Sequence, residues 1–190
     1  MLKFYYGTMG SGKSTEAIKT YTMYNRAGKN IIATQANPGG DGVDYNGEGY
    51  ISSRLCSDVL PAYIFTEVDN IPVKDADIVL VDEVQFLPPK EIDKLAELVD
   101  DHDKTVICYG LKTDCYGNLF EGAARLLAIA DVTKELPTLC DICHERPATR
   151  HLRYHDGVID KGGRSPIEDK AVAEVEYKSV CRKCWKGETR

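Results

Sequence analysis

Apolar residues in the first two thirds of the chain alternate between short continuous runs and stretches with helical spacing. We expect strands at residues 2–6, 30–34, 62–65, 76–81, 105–111 and 132–136. We expect helices at 14–27, 88–100 and 121–130. Strands that alternate with helices in this way indicate a parallel sheet covered on both faces, so the predicted fold class is α/β.

Two stretches depart from this alternation. Residues 35–57 are polar and glycine-rich, which predicts a long loop that is functional or mobile. Beyond Pro137 the chain is richer in Cys, His, Arg and Gly and has no long helical stripe. We therefore predict two domains, 1–137 and 138–190.

The first strand and first helix are joined by a glycine-rich segment that reads GTMGSGKST from Gly7. It matches the pattern Gly-x-x-x-x-Gly-Lys-Ser, in which glycines let the backbone wrap phosphate oxygens. The following helix contributes its N-terminal dipole. Lys13 would reach the β and γ phosphates and Ser14 would ligate Mg²⁺, so the segment predicts a site for a nucleoside triphosphate.

Two carboxylates, Asp82 and Glu83, follow the apolar run at 76–81. Adjacent strand residues point to opposite faces, but the chain can bend at the carboxyl end, where open α/β sheets bind ligands. Asp82 then suits the metal, and Glu83 suits taking a proton from a hydroxyl or water. The alternative for Glu83 is an exposed loop acid.

The C-terminal region holds two CxxC pairs, Cys140/Cys143 and Cys181/Cys184, with 37 residues between them. Four thiolates can close a tetrahedral zinc shell, which is a structural site without an open position. His144 and His151 are rival ligands, but four cysteines already satisfy zinc. We predict a zinc ion that staples the base of a long loop.

Three aromatic residues, Phe86, Tyr116 and Phe120, follow the ends of predicted strands. They suit either covering a planar ring or packing in the core, and the sequence leaves both interpretations open. Cys108 lies within a predicted strand and is interpreted as a core residue.

The net charge of -6 and the absence of a Lys/Arg block longer than two residues argue against a nucleic-acid partner. Small anions can still bind to backbone N–H groups. No apolar stretch has the length of a signal peptide or a membrane span, so we expect a cytoplasmic protein without a membrane partner. In that compartment paired cysteines more often bind metal than form disulfides.

These motifs combine with VDEVQFL at 81–87, YGLKTD at 109–114 and LFEG at 119–122. Over nearly its whole length the chain resembles the zinc-bearing, tetrameric type of thymidine kinase. The resemblance implies a RecA-like P-loop domain and a small zinc domain with a lasso loop that closes over the nucleoside. It also implies transfer of the ATP γ-phosphate to the 5′-hydroxyl of thymidine, feedback binding of dTTP, and a homotetramer.

The resemblance further implies the roles of single residues. Glu83 would be the catalytic base and Lys13 its catalytic partner at the phosphates, with Mg²⁺ at Ser14 and Asp82. ATP would contact Gly7, Thr8, Met9, Gly10, Ser11, Gly12, Lys13, Ser14, Asp82, Glu83, Val84 and Gln85. The nucleoside would contact Met9, Phe86, Leu111, Phe120, Thr149 and Tyr177. Structural zinc would bind Cys140, Cys143, Cys181 and Cys184.

Some residues depart from the family pattern. Thr8 and Gly10 replace a proline and an aromatic residue, Cys115 replaces an aromatic residue, and Ala171, Val172 and Ala173 replace Ile-Gly-Gly in the lasso. Thymidine kinase is the first hypothesis for the function, and these departures motivate a second, a kinase for another deoxynucleoside. The third hypothesis is a zinc-ribbon P-loop ATPase or switch that binds nucleic acid.

Overall fold

The computed structural model describes residues 1–37, 47–161 and 175–189. Its strands are β1 Leu2–Tyr6, β2 Ile31–Ala36, β3 Gly47–Ser52, β4 Val59–Phe65, β5 Ile78–Asp82, β6 Thr105–Gly110, β7 Val132–Glu135, β8 Arg150–His155, β9 Val158–Ile159 and β10 Val175–Val180. Its helices are α1 Lys13–Arg26, α2 Pro89–Asp100, α3 Glu121–Ile129 and α4 Arg182–Thr189. Short 3₁₀ turns lie at Val68–Asn70 and Val84–Phe86.

The large sheet has seven strands in the order β3-β4-β2-β5-β6-β1-β7. All neighbouring pairs are parallel except β3 and β4. The predicted α/β class with a parallel sheet is therefore confirmed. Strand β6 separates β1 from β5, yet the carboxyl ends of all three meet at one edge of the sheet, where the chemical motifs lie.

The sheet is covered on both faces. On one face, Phe4 and Phe65 pack with Leu95 of α2 and Leu126 of α3. On the other face, Ala17 of α1 packs with a second cluster that includes Leu80 and Tyr109. Every residue of β5 is buried, as its continuous apolar run predicts. Cys108 is buried too, which confirms its interpretation as a core residue.

The prediction of one long loop over residues 35–57 is wrong in part, because β3 lies within it and pairs antiparallel with β4. Only Ile51 of this strand is buried. Gly49 fits closely against the side chain of Ile64 and has no room for a Cβ atom. The strand is held by pairing with β4 and not by an apolar pattern of its own, so the sequence concealed it. Residues 38–46 lie outside the described residues.

The C-terminal region forms a separate antiparallel sheet in the order β10-β8-β9, followed by α4. Leu152 and Val180 pack there with Cys140, Cys181 and the ring of Trp185. The pattern of apolar residues predicts none of these elements. The lasso positions Ala171, Val172 and Ala173 lie outside the described residues. Among the helices described, none has the length and apolar character that crossing a membrane requires.

Candidate active site

The loop between β1 and α1 is shaped by its glycines. Gly10 has φ 73° and Gly12 has φ 82°, a left-handed conformation that strains other residues. Gly7 is needed for space, because a Cβ atom there would collide with the Leu136 carbonyl and the Ser11 side chain. The backbone shape expected of a phosphate cradle is thus built into three positions of the loop.

Lys13 is folded back over this loop. Its Nζ donates to the Thr8 carbonyl at 2.9 Å, and the residue is only 8% exposed. Burial lowers the pKa of the ammonium group, while the charges of Glu83 and Asp82 oppose that shift. The lysine and both carboxylates therefore lie close enough to influence one another electrostatically, as the sequence analysis expected of this cleft.

Asp82 ends β5 and meets the first turn of α1. Ser14 Oγ donates to Asp82 Oδ2 at 2.9 Å, and the Glu83 amide donates to Oδ1 at 2.9 Å. Burial, followed by the charge of Glu83, raises the pKa of Asp82 to about 6. The structure thus joins a hydroxyl and a carboxylate oxygen, the ligand types that Mg²⁺ prefers, from elements far apart in sequence.

Without Mg²⁺ or nucleotide, Asp82→Asn is expected to raise the free energy of unfolding at pH 8 by about 1–3 kcal/mol. The reason is that the folded state raises the pKa of this carboxyl from 3.8 to about 6, so folding of the wild type opposes its ionisation. The gain should fade as pH drops below 6 and be nearly gone at about pH 3, below the unfolded-state value of 3.8, where Asp82 is protonated in both states. Urea denaturation at both pH values measures it, with the exposed Asp75→Asn as control. A difference that does not change with pH would contradict this explanation.

Glu83 occupies a left-handed conformation with φ 55° and ψ 30°, which is rare for a residue with a side chain. This bend turns the chain out of β5 and into the 3₁₀ turn Val84–Phe86. Gln85 Nε2 then donates to Glu83 Oε2 at 2.6 Å, and Gln85 Oε1 accepts from the Leu111 amide at 2.9 Å. Glu83 is half-buried and anchored, so the interpretation as an exposed loop acid does not fit the structure.

Gly110, at the end of β6, allows this turn to cross the neighbouring strand. A Cβ atom at position 110 would collide with Gln85 Oε1 and the Val84 side chain. The Gly7 amide also approaches the Gly110 carbonyl at 3.4 Å. The absence of a side chain at Gly110 therefore allows Gln85 to hold Glu83 beside the P-loop.

The predicted nucleoside-binding residues lie around the same edge. The rings of Phe86 and Phe120 meet edge to face with centroids 6.2 Å apart, and both are half-buried. Phe120 also packs against the core cluster, so the structure leaves room for both interpretations of these rings. Tyr116 instead donates its hydroxyl to Asp160 at 3.0 Å and links its loop to the C-terminal sheet.

The C-terminal sheet turns one face towards the P-loop. Met9 is hydrogen-bonded to His151 of β8 and to Ser179 of β10. Tyr177 lies two residues before Ser179 on the same face and stacks near Arg153, 5.9 Å from guanidinium carbon to ring centroid. Thr149 immediately precedes β8, and its amide donates to the Val180 carbonyl. The sheet thus brings Tyr177 to the side on which Met9 lies.

The two CxxC pairs come together as predicted. All four Sγ atoms lie within 4.8 Å of one another. A tetrahedral zinc ion with Zn–S bonds of about 2.3 Å requires sulfur atoms roughly 3.8 Å apart, so the set is compatible with structural zinc. Burial raises the pKa of Cys140, but backbone N–H groups that donate to its sulfur outweigh this and lower the pKa to about 6. This shift favours the thiolate that a metal requires.

The residues that join the two sheets were not predicted from the sequence. His151 was interpreted as a rival zinc ligand, whereas its Nε2 accepts from the Met9 amide. Ser179 and Asp160 were not singled out. The β-branched and aromatic content of Val175–Val180 is the signal that could have predicted the strand and so brought Ser179 into view.

The loop, its buried lysine and the paired carboxylates define a P-loop enzyme that acts on a nucleoside triphosphate. The family model for thymidine kinase matches residues 1–185. A thymidine kinase of Streptococcus thermophilus strain CNRZ 1066 is 37% identical over 195 residues, which cover 97% of this chain and 92% of that protein. A thymidine kinase of Francisella tularensis subsp. holarctica strain LVS is 34% identical over 197 residues, covering 97% and 96%.

The chain belongs to the thymidine kinase family. It is accordingly an ATP-dependent kinase whose phosphoryl acceptor is thymidine. The resemblance noted in the sequence is thereby confirmed at the level of the family, the fold class and the reaction. The roles of individual residues follow as proposals.

Proposed function

We propose that this chain phosphorylates the 5′-hydroxyl of thymidine at the sheet edge formed by the P-loop, Asp82 and Glu83. The observation that carries the proposal is the anchored Glu83 carboxylate beside the buried Lys13. Glu83 takes the proton of the 5′-hydroxyl as the nucleoside oxygen bonds to the γ-phosphorus. The bond from that phosphorus to the β–γ bridging oxygen breaks, and ADP leaves.

The supporting residues each have one task. Gln85 holds one oxygen of Glu83, which leaves the other to accept the proton. Lys13 moves from the Thr8 carbonyl to the phosphates and stabilises their charge, and residues 7–14 surround the triphosphate, with some of their backbone amides donating to its oxygens. Mg²⁺ held by Ser14 and Asp82 would neutralise phosphate charge when bound.

The nucleoside would lie between the two sheets. Met9, Phe86, Leu111 and Phe120 would supply apolar contacts to thymine from the first domain, and Thr149 and Tyr177 would approach from the second. Support comes from the shared face of Tyr177 and Ser179, because Ser179 bonds to Met9. A lasso that covers the base would exclude water and so protect ATP from hydrolysis.

Other features of the proposal concern organisation. The division into domains 1–137 and 138–190 is supported by the two separate sheets. Zinc in the four-cysteine set would staple the second domain. The homotetramer and feedback binding of dTTP rest on the family resemblance. The cytoplasmic location and the lack of a nucleic-acid partner remain predictions from composition and charge.

A nucleoside panel tests the choice of acceptor. With Mg²⁺ and ATP, kcat/KM for thymidine is expected to exceed that for deoxycytidine by roughly 10³-fold or more. Cytosine has a hydrogen-bond donor where thymine has an acceptor and an acceptor where thymine has a donor, so buried polar groups of a thymine pocket would be left unpaired. Deoxyuridine lacks only a methyl group and should lose about tenfold. Lys13→Ala is the inactive control. Preference for deoxycytidine would favour the second kinase hypothesis, and ATP hydrolysis without nucleoside turnover would favour the ATPase.

A further inference from the structure

One residue of the P-loop is held by the C-terminal sheet through both of its backbone polar groups. The Met9 amide donates to His151 Nε2 at 3.0 Å, and the Met9 carbonyl accepts from Ser179 Oγ at 2.6 Å. His151 and Ser179 lie directly opposite each other in the antiparallel pair of β8 and β10. A single cross-strand pair therefore holds a single residue of the phosphate loop, through the peptide groups on both sides of its Cα atom. We call these two contacts the Met9 clamp.

The clamp is buried and in the correct ionisation state. His151 and Ser179 are each 3% exposed, so water does not compete for their bonds. Burial, followed by the charge of Lys13, lowers the pKa of His151 to about 4, while Asp114 and the bond to the Thr113 backbone oppose this shift. The imidazole is neutral near pH 7, with its proton towards Thr113 and Nε2 free to accept from Met9.

The clamp also connects to the four-cysteine set. Asp141 lies between the first two cysteines, and its Oδ2 accepts from the Ser179 amide at 2.6 Å. The Asp141 amide donates back to the Ser179 carbonyl at 2.8 Å. A continuous hydrogen-bonded path therefore runs from the segment that carries Cys140 and Cys143, through Ser179, to Met9.

We propose that His151 and Ser179 are positioning residues that hold the P-loop in its phosphate-binding shape and couple the metal state of the four cysteines to triphosphate affinity. The inference rests on the proposed role of the P-loop in binding ATP. A loop already held in its bound shape has less conformational entropy to lose when the ligand arrives. Because the Met9 amide donates to His151 Nε2, this amide does not face the phosphates, and other amides of the loop have to bind them.

Calorimetric binding of a non-hydrolysable ATP analogue with Mg²⁺ to the zinc-loaded full chain tests the proposal. His151→Leu and Ser179→Ala are each expected to weaken binding by about three- to tenfold, the usual effect of one lost hydrogen bond. The double variant should lose less than the product of the two, because both bonds restrain the same residue. His102→Leu and Ser57→Ala, at exposed positions, are matched controls that should bind like the wild type.

A conservative pair separates the hydrogen bond from packing. His151→Gln carries an acceptor at the distance of Nε2 and should restore most of the affinity, whereas His151→Asn carries one at the distance of Nδ1 and should not. This comparison remains informative if His151→Leu fails to fold. Equal affinities of the Gln and Asn variants, or wild-type affinity in Ser179→Ala, would overturn the clamp.

Removal of zinc by a chelator, followed by measurement of metal content and analogue binding, tests the coupling. The wild type should lose about as much affinity as the double variant, and the double variant should lose little more. An equal further loss in the double variant would overturn the coupling. Lys13→Ala separates this proposal from the one on which it rests. If Lys13→Ala binds the analogue like the wild type, the P-loop is not the ATP site. If Lys13→Ala loses binding but His151→Leu does not, the Met9 clamp alone is refuted.

Discussion

Glu83→Gln is expected to lower kcat for thymidine phosphorylation by about 10²–10⁴-fold, the usual contribution of a general base. Affinity for ATP should stay within about threefold of the wild type, because the amide keeps the size of the side chain and the phosphates are held by the P-loop. Gln85 and the left-handed backbone at φ 55° fix the position of this residue, so the loss should reflect chemistry and not displacement.

Steady-state kinetics with thymidine and calorimetry with an ATP analogue measure the two effects separately. Glu121→Gln, an exposed acid at the start of α3, is the matched control and should be fully active. If Glu83→Gln turned over thymidine at the wild-type rate, Glu83 would not be the base. If the rate fell only because ATP no longer bound, Glu83 would belong to the phosphate site instead.

Cys140→Ser is expected to abolish stoichiometric zinc binding and to lower the melting temperature of the C-terminal domain by roughly 10 °C or more. The four sulfur atoms lie within 4.8 Å of one another, so each would complete one closed zinc shell and none would be replaceable by its neighbours. In the described part of the C-terminal region the hydrophobic core cluster is small, with Cys140, Leu152, Val180 and Cys181 as its buried members, so bound zinc would supply much of the stability.

Metal analysis and calorimetric melting measure this effect, and Cys56→Ser is the matched control because Cys56 lies outside the four-sulfur set. A full equivalent of zinc in Cys140→Ser, or an unchanged melting temperature, would show that the cysteines are not a structural metal site. Two separate melting transitions in the variant would indicate that the two domains unfold independently.

The parts that the sequence predicted well are those in which neighbouring residues carry the whole signal. The continuous apolar run before Asp82 identified β5, and the spacing of glycines around Lys13 identified the phosphate loop. The CxxC spacing singled out the four cysteines whose sulfur atoms the structure brings together. In each case a short segment contains both the structural cause and the chemical group.

The parts that it missed depend on pairing between strands. Strand β3 has one buried residue and two glycines, so its existence depends on hydrogen bonds to β4. In the small sheet β10-β8-β9, β10 pairs with β8 and not with β9, which precedes it in sequence, and the apolar pattern of these strands is short. The β-strand propensity of a short segment does not reveal such pairing, because the strand that stabilises it lies outside that segment.

The sequence by itself determined the class of fold, the phosphate loop, the paired carboxylates and the two CxxC pairs, since each is written in the spacing of residues within a short segment. The tertiary structure alone decided that Glu83 would be bent into the cleft and held by Gln85. It alone joined Met9 to His151 and Ser179, which lie 142 and 170 residues away. Contacts of this kind arise from how the two sheets pack. The residues next to a buried histidine or serine in sequence do not indicate which distant group it will bond to.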